Sequence, residues 1–360
     1  MDPVRLYAVI MAGGSGTRFW PLSRAGRPKQ LLGVCRPEPM IRTTVDRVRP
    51  LVPPERILVV TAGSHAQAVR SLLPDLPPDN ILVEPVGRNT APCIGLAALV
   101  VRRRDPDGVM LVLPADHVIE KPAAFLNLAR AGAGLAASRE ALVTLGVVPS
   151  YPETGFGYIE TGADAFEADG VRVLAVRRFH EKPDLDRARA YLASGRHFWN
   201  SGIFLWPART ILEWMARLLT ELHGRLQTLV PSIDEPDFQT ALDRTYPDLP
   251  AVSIDYGIME KADGVLVIPA DIGWNDVGSW SAAARYWPRV EGNALQGTGL
   301  FIDAEDCAVY SPDKLVALIG VRDLVVVETP DALLVCHKDR DQDVRDLVEA
   351  LKKKGRNDLV

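Results

Sequence analysis

The chemistry-bearing residues begin at Gly13-Gly14-Ser15-Gly16-Thr17-Arg18 and run on through Pro21-Leu22 to Pro28-Lys29-Gln30. From Gly13 to Gln30 the chain carries Arg18, Arg24, Arg27 and Lys29 and no acidic residue. A strand ending in a glycine turn leaves successive backbone N–H groups able to converge on an anion, because glycine accepts positive φ and has no Cβ to block close approach. This is the composition of a phosphate cradle with its own counter-charges. It is not a Walker A loop, since Arg18 follows Gly13 by five residues where that motif needs a second glycine before Lys-Ser/Thr, and Phe19 stands where a dinucleotide fingerprint needs a third glycine.

A bound polyphosphate calls for a hard cation, and a hard cation that also holds phosphates takes one or two carboxylates. Two aspartates follow apolar runs: Asp116 in Leu113-Pro114-Ala115-Asp116-His117, and Asp276 in Gly273-Trp274-Asn275-Asp276-Val277-Gly278-Ser279-Trp280. Each reads either as a Mg²⁺ ligand or as a turn or helix-capping aspartate. Glu84-Pro85-Val86-Gly87-Arg88-Asn89-Thr90-Ala91-Pro92 offers a carboxylate beside an amide. A carboxylate accepts from both N1–H and the 2-amino group of guanine, a donor pair that adenine lacks, although Asn89 also suits the cap of the next helix.

Beyond residue 150 glycines alternate with aromatic and polar side chains. The clusters are Thr154-Gly155-Phe156-Gly157-Tyr158-Ile159-Glu160, Phe179-His180-Glu181-Lys182-Pro183 and Trp199-Asn200-Ser201-Gly202-Ile203-Phe204. Flat apolar faces for C–H groups and bidentate acceptors for vicinal hydroxyls are what a sugar pocket requires. Lys182 reads as a point charge for a substrate phosphate or as a solvated surface group.

These residues need a frame. Strands are expected at Tyr7–Met11, Ile57–Thr61, Ile81–Val83, Val109–Leu113 and Leu142–Val147, with helices at Ser64–Leu73, Thr90–Arg104 and Pro122–Ser138 between them. Ser64 is expected as the N-cap of the first helix, and Asn89 or Thr90 as that of the second. Such alternation predicts an α/β sheet, largely parallel, whose ligands sit beyond the carboxyl ends of the strands, on the rim where both the glycine loop and Asp116 lie. Further on, a strand at Val171–Arg178, helices at Asp184–Ala193 and Pro207–Leu219, a polar irregular stretch to about Pro250 and a strand at Val265–Ile268 complete the first part. After residue 290, short β-like runs (Leu300–Asp303, Cys307–Tyr310, Leu315–Ile319, Leu324–Val327, Leu333–Cys336) suggest a small solenoid or meander, closed by a helix over Asp343–Lys354. The expected domains are therefore 1–288 and 289–360.

Composition bounds the remaining possibilities. The chain has 360 residues, with 41 Lys and Arg against 46 Asp and Glu, a net charge of -5 that gives no global field for nucleic acid or an anionic membrane. Cys35, Cys93, Cys307 and Cys336 are widely spaced and form no metal or redox pair, as expected of reduced thiols in a cytoplasmic protein. No signal peptide is expected, since the first strand follows the start within a few residues, and no apolar run is long enough to span a membrane.

In this order the motifs resemble those of the sugar nucleotidyltransferases, most closely the mannose-1-phosphate guanylyltransferases, over nearly the whole chain. The Glu84-Pro85 to Pro92 segment narrows the resemblance to the guanylyl branch. It implies a Rossmann-like nucleotidyltransferase domain, a C-terminal β-rich domain of left-handed β-helix type, and transfer of GMP from GTP to mannose 1-phosphate. By the resemblance, Gly13, Gly14, Ser15, Gly16, Thr17 and Arg18 hold the triphosphate, Arg18 and Lys29 stabilise its charge, Glu84 and Asn89 face guanine, and Asp116 and Asp276 ligate Mg²⁺. Gly157, Glu181 and Asn200 hold the hexose, with Lys182 near its phosphate. The terminal β region is expected to form a homodimer interface. Longer relatives carry a further cupin domain with isomerase activity, which a chain ending at Val360 is expected to lack. Two other readings are the same chemistry on another sugar 1-phosphate, such as a heptose, and a catalytically silent nucleotide-sugar sensor. The sensor predicts loss of Arg18, Lys29, Asp116 or Asp276, and all four are present.

Overall fold

The computed structural model describes residues 4–14 and 16–360; Ser15, expected in the phosphate loop, lies outside the described residues. Along the chain the strands are β1 (Leu6–Ala12), β2 (Ile57–Ala62), β3 (Ile81–Glu84), β4 (Val109–Pro114), β5 (Val118–Ile119), β6 (Val143–Val147), β7 (Tyr158–Ala168) and β8 (Val171–His180). They continue with β9 (His197–Pro207), β10 (Leu266–Ala270), β11 (Trp274–Asn275), β12 (Arg289–Val290), β13 (Asn293–Ile302), β14 (Ala308–Ile319), β15 (Leu324–Glu328) and β16 (Leu333–His337). The α-helices are α1 (Met40–Val48), α2 (Ala66–Leu72), α3 (Thr90–Arg104), α4 (Pro122–Arg139), α5 (Leu185–Ser194), α6 (Ala208–Leu218), α7 (Thr220–Gln227), α8 (Phe238–Thr245), α9 (Trp280–Ala284) and α10 (Val344–Lys353).

Contacts divide the chain into two compact units. Unit 1 comprises residues 1–13, 45–115 and 119–274; unit 2 comprises 14–44, 116–118 and 275–360. Unit 1 is built on a nine-stranded mixed sheet in the order β3-β2-β1-β4-β9-β6-β10-β8-β7, with β9 also paired to β7. Pairing is parallel from β3 to β4, as short apolar strands joined through helices require. Strand β9 then runs antiparallel between β4 and β6. Alternate residues of the parallel strands, Tyr7 and Val9, Leu58 and Val60, Met110 and Val112, share a core with α3. That helix is apolar on every side and buried from Ala91 to Val101.

Three expectations need correction. Ser64 lies inside a 3₁₀ turn, Gly63–His65, and caps nothing; α2 starts only at Ala66 and has no side-chain cap. The stretch up to Pro250 is not irregular: α7 and α8 lie in it, and Leu222, Leu226, Leu229, Ile233, Leu242, Tyr246 and Leu249 enter the core. No strand is expected at Tyr158 or Trp199, yet these residues lie in the long antiparallel strands β7 and β9.

In unit 2 the segment after the glycine loop packs with the C-terminal chain. Phe19, Trp20, Leu32 and Val34 share a core with Trp280, Trp287, Val325, Val327 and Val348. The indole nitrogens of Trp280 and Trp287 donate to the carbonyls of Trp20 (3.0 Å) and Val34 (2.8 Å). The C-terminal sheet has the order β12-β13-β14-β15-β16. Strands β13, β14 and β15 are successive and parallel, although connections of only a few residues separate them. A conventional crossover needs about a dozen residues, so the pattern is that of coils stacked along an axis; β16 closes the stack antiparallel.

Candidate active site

In unit 1, β1 and β4 lie side by side, with Met11 opposite Pro114, so the chain leaves adjacent strand ends towards Gly13 and towards Asp116. Gly13 is exposed, and a Cβ added there would meet nothing within 4 Å. Packing therefore does not explain this glycine, and the open space beside it leaves the backbone approachable.

The loop continues in unit 2. Gly14 has φ +95° and Gly16 φ +57°. A Cβ on Gly16 would lie 2.6 Å from Lys29 Cβ and 2.7 Å from Lys29 N, so this glycine exists to let the loop close onto Lys29. Two side chains pin it there: Ser23 Oγ donates to Gly16 O (2.8 Å) and Gln30 Nε2 to Gly14 O (3.3 Å). Thr17 and Arg18 then form a 3₁₀ turn with Phe19, which anchors the turn edge-on against Trp280.

Lys29 is the centre of this constellation. It is only 5% exposed, and its Nζ donates to Asp116 Oδ2 at 2.9 Å and to the main-chain oxygen of Asp276 at 2.6 Å. Burial alone would raise the Asp116 carboxyl, but the Lys29 ammonium, with His117 beside it, holds it below the usual carboxylate range. Asp116 is therefore ionised at neutral pH, with a side chain 31% exposed. The Asp276 carboxylate and Arg18 flank Gly278: a Cβ added there would lie 3.2 Å from Asp276 Oδ2 and 3.1 Å from Arg18 Nη1. Arg18 is exposed and donates to Gln342 Oε1 at 3.1 Å, while Arg24 grips Asp331. Asp276 does not cap α9; Ser279 does, accepting from Ala282 N. Between Asp276 and Gly278, the buried Val277 adopts φ +50°, a strained conformation for a β-branched residue. Two carboxylates beside a lysine and an arginine form a hard-oxygen donor set that fits Mg²⁺ in charge and ligand type.

The remaining expected residues lie in unit 1. Glu84 ends β3, is buried, and accepts a hydrogen bond from the Tyr246 hydroxyl. Burial pushes its carboxyl up to about 7, with the Tyr246 bond opposing the shift. Asn89, exposed at φ +69°, caps α3 by accepting from Thr90 N at 2.9 Å. The whole segment is fastened to residues 246–254. Arg88 donates to Pro247 O, Ala91 N to Val252 O (3.0 Å), and Ile254 N to Thr90 Oγ1 (2.8 Å).

Gly157, Glu181 and Asn200 come together. Asn200 N donates to Gly157 O at 2.8 Å, and a Cβ on Gly157 would lie 3.1 Å from Glu181 Oε2 and 3.6 Å from Asn200 Cβ. Lys182 Nζ is 3.2 Å from Glu181 Oε1, both side chains being well exposed. Sequence reasoning missed Asp255, whose Oδ1 accepts from Asn200 Nδ2 at 2.7 Å and whose carboxyl is raised by burial. It also missed Tyr246. Neither belongs to a local pattern, and only the folding of α7, α8 and their connections brings them in.

The "Nucleotidyl transferase" family model matches residues 7–291, and a "MannoseP isomerase/GMP-like beta-helix domain" model matches residues 297–351. A mannose-1-phosphate guanylyltransferase of Klebsiella pneumoniae is 42% identical over 357 residues, covering 98% of this chain and 75% of the relative. The xanthan biosynthesis protein XanB of Xanthomonas campestris pv. campestris (strain B100) is 41% identical over 355 residues, covering 98% and 74%. A crystal structure from Thermus thermophilus, described as a mannose-1-phosphate geranyltransferase, is 34% identical with a TM-score of 0.87, covering 97% of this chain and 100% of its own. The chain thus spans about three-quarters of the length of these two curated relatives. The family model over residues 7–291 and the relatives at about 41–42% identity over nearly the whole chain show that the chain belongs to the nucleotidyl transferase family, in its mannose-1-phosphate guanylyltransferase branch.

Proposed function

We propose that this chain transfers GMP from GTP to α-D-mannose 1-phosphate, releasing pyrophosphate and forming GDP-mannose. The observation that carries the reading is Lys29, buried at the foot of the glycine loop and bonded to both Asp116 and the Asp276 backbone. In unit 2, Gly14, Gly16, Thr17, Arg18 and Lys29 face the triphosphate; in unit 1, Gly13 ends the strand that leads into them. Glu84 and Asn89 serve guanine, and Gly157, Glu181 and Asn200 the hexose, with Lys182 for its phosphate. Asp116 and Asp276 would hold Mg²⁺, which when bound neutralises phosphate charge.

The attacking group is a phosphate oxygen of mannose 1-phosphate, already anionic near neutral pH. It forms a bond to the α-phosphorus of GTP as the bond from that phosphorus to the α,β-bridging oxygen breaks and pyrophosphate leaves. No protein nucleophile or general base is needed. Arg18 and Lys29 stabilise the charge that moves to the leaving group, and positioning supplies the rest.

We assign 1–288 to the nucleotidyltransferase domain and 289–360 to the solenoid-like domain, which we also propose as a homodimer interface. Leu300, Ile302, Leu315, Ile319, Leu333 and Val335 support this: all are large, apolar and about half exposed or more, on β13, β14 and β16 of one sheet. Among the described residues no helix is long and apolar enough to cross a membrane, and four unpaired cysteines support a cytoplasmic location.

The test is to incubate the protein with Mg²⁺ and each nucleoside triphosphate against a panel of sugar 1-phosphates, heptose 1-phosphate included, and to measure pyrophosphate. GTP with mannose 1-phosphate is expected to dominate. Another productive pair would move the assignment, and no productive pair would leave a sensor.

A further inference from the structure

Away from the residues assigned above, three strands of unit 1 bring Glu160, His180 and His197 together. Strand β7 lies between β8 and β9, with Tyr158 opposite His180 and Glu160 opposite His197. Glu160 is thus the direct cross-strand neighbour of one histidine and a diagonal neighbour of the other, all on one face of the sheet. One ligand-type atom from each lies within 4.8 Å of the others.

The hydrogen bonds around His197 favour one tautomer. Ser194 Oγ has one proton, and it donates to Tyr191 O at 2.7 Å. The same oxygen accepts from Arg196 N (3.2 Å), so its 2.7 Å contact with His197 Nδ1 is donated by the ring. Nδ1 therefore carries the proton, and Nε2 presents a bare lone pair. His197 is 7% exposed, and its Nε2 is buried with no hydrogen-bond partner. Tyr191 stacks on the ring at 4.1 Å and 14°, which fixes its plane. A hydrogen-bonded Glu160–His180 pair, with His180 Nε2 3.0 Å from Glu160 Oε2, accounts for two of the three groups and leaves this lone pair unused. Burying an unsatisfied acceptor is unfavourable, and a cation would satisfy it.

We propose that Glu160, His180 and His197 form a binding site for a divalent cation of the Zn²⁺ class, distinct from the hard-oxygen pair Asp116 and Asp276. Two imidazoles and a carboxylate are a borderline donor set that suits Zn²⁺ and disfavours Mg²⁺. The ligand atoms stand slightly wider than an ion bonded at about 2.0–2.2 Å requires, so binding draws the three strands together. His180 and Glu160, 21% and 26% exposed, leave an entry path and a fourth position for water. Ser194 is the positioning residue that holds the His197 tautomer. Because Glu181 and Lys182 follow directly on His180, the bound ion would fix the base of their turn.

The experiment uses untagged, chelator-treated full chain in equilibrium dialysis against Zn²⁺, with Mg²⁺ in excess, and records Co²⁺ d–d absorption in parallel. The wild type is expected to take up one Zn²⁺ that excess Mg²⁺ does not displace, with a four-coordinate Co²⁺ spectrum. His180→Gln and Glu160→Gln, at partly exposed positions that folding tolerates, should each weaken binding at least about tenfold, Ser194→Ala about tenfold, and the exposed His337→Gln not at all. Circular dichroism of each variant separates lost ligation from lost fold. Equal Zn²⁺ binding by wild type and His180→Gln, displacement by Mg²⁺, or no uptake by the wild type would overturn the proposal, the last meaning that water alone satisfies Nε2. Pyrophosphate release plays no part in this readout, so its outcome is independent of the guanylyl reading.

Discussion

Glu84 and Asp116 are two carboxylates drawn in from the surface, and they titrate in opposite directions. Glu84 is buried with a neutral phenol as its partner, and burial lifts it to about 7. Asp116 meets the same desolvation, but Lys29 at 2.9 Å outweighs it and pushes the carboxyl down. Burial sets the penalty, and the charge of the neighbour decides which form survives. One region is thus built to keep a negative charge beside cations at every physiological pH, the other to hold a carboxylate whose charge depends on pH.

The largest effect should come from dismantling the charged region. Lys29→Met is expected to lower turnover by about 10²–10³-fold and to shift the denaturant midpoint downward, since the Asp116 carboxylate and the Asp276 carbonyl then lose their donor. Arg18→Ala and Asp276→Asn should also cost orders of magnitude in turnover, but without unfolding the chain, because neither side chain is buried. Near wild-type turnover in either would remove that residue from the mechanism.

Glu84→Gln sharpens the contrast because its effects oppose each other. A raised folded-state value means that the stability conferred by protonated Glu84 is full below its unfolded value of 4.5 and is lost as pH rises through about 7. The ionised form therefore costs about 3 kcal/mol at pH 8, and Glu84→Gln should raise the urea midpoint there and not at pH 5. The same variant should raise KM for GTP at pH 8. In the wild type that KM should itself rise as pH falls below about 7. A pH-independent wild-type KM would take Glu84 off guanine. For Asp116 the sign is reversed: its contribution is present above its ordinary value and is lost only in acid.

The two glycines of the loop give a smaller effect that is easier to read. Gly16→Ala forces a Cβ to 2.7 Å from Lys29 N at positive φ, and should destabilise by about 1–3 kcal/mol. Gly13→Ala meets nothing, and should change stability by no more than about 0.5 kcal/mol while raising KM for GTP. Unchanged KM in Gly13→Ala would mean that no ligand approaches there. Asn89→Ala, read by the urea midpoint, is expected to cost about 1 kcal/mol through the lost cap of α3.

The charged region was legible in the sequence because its information is local. Glycines, cations and a strand end within eighteen residues specify a cradle, and the apolar runs Val109–Leu113 and Val265–Ile268 announce strands ahead of the two aspartates, although the short β11 directly before Asp276 went unread. The fold of the first half followed from alternating apolar runs and helix-length segments. Tyr246 was not legible, because Pro231, Pro236, Pro247 and Pro250 punctuate its neighbourhood and hide two helices. The Glu160, His180 and His197 grouping depends on antiparallel register between strands, and Trp199-Asn200-Ser201-Gly202 breaks the alternation that would have marked β9. Asp255 reaches Asn200 from 55 residues away through a π turn that no local pattern signals.

The most direct test of guanylyl transfer follows the α-phosphorus. With GTP labelled at the α-phosphate, Mg²⁺ and mannose 1-phosphate, the label should appear in GDP-mannose with one pyrophosphate released for each label transferred. Label recovered as GMP, or label transfer that proceeds equally well without mannose 1-phosphate, would contradict it.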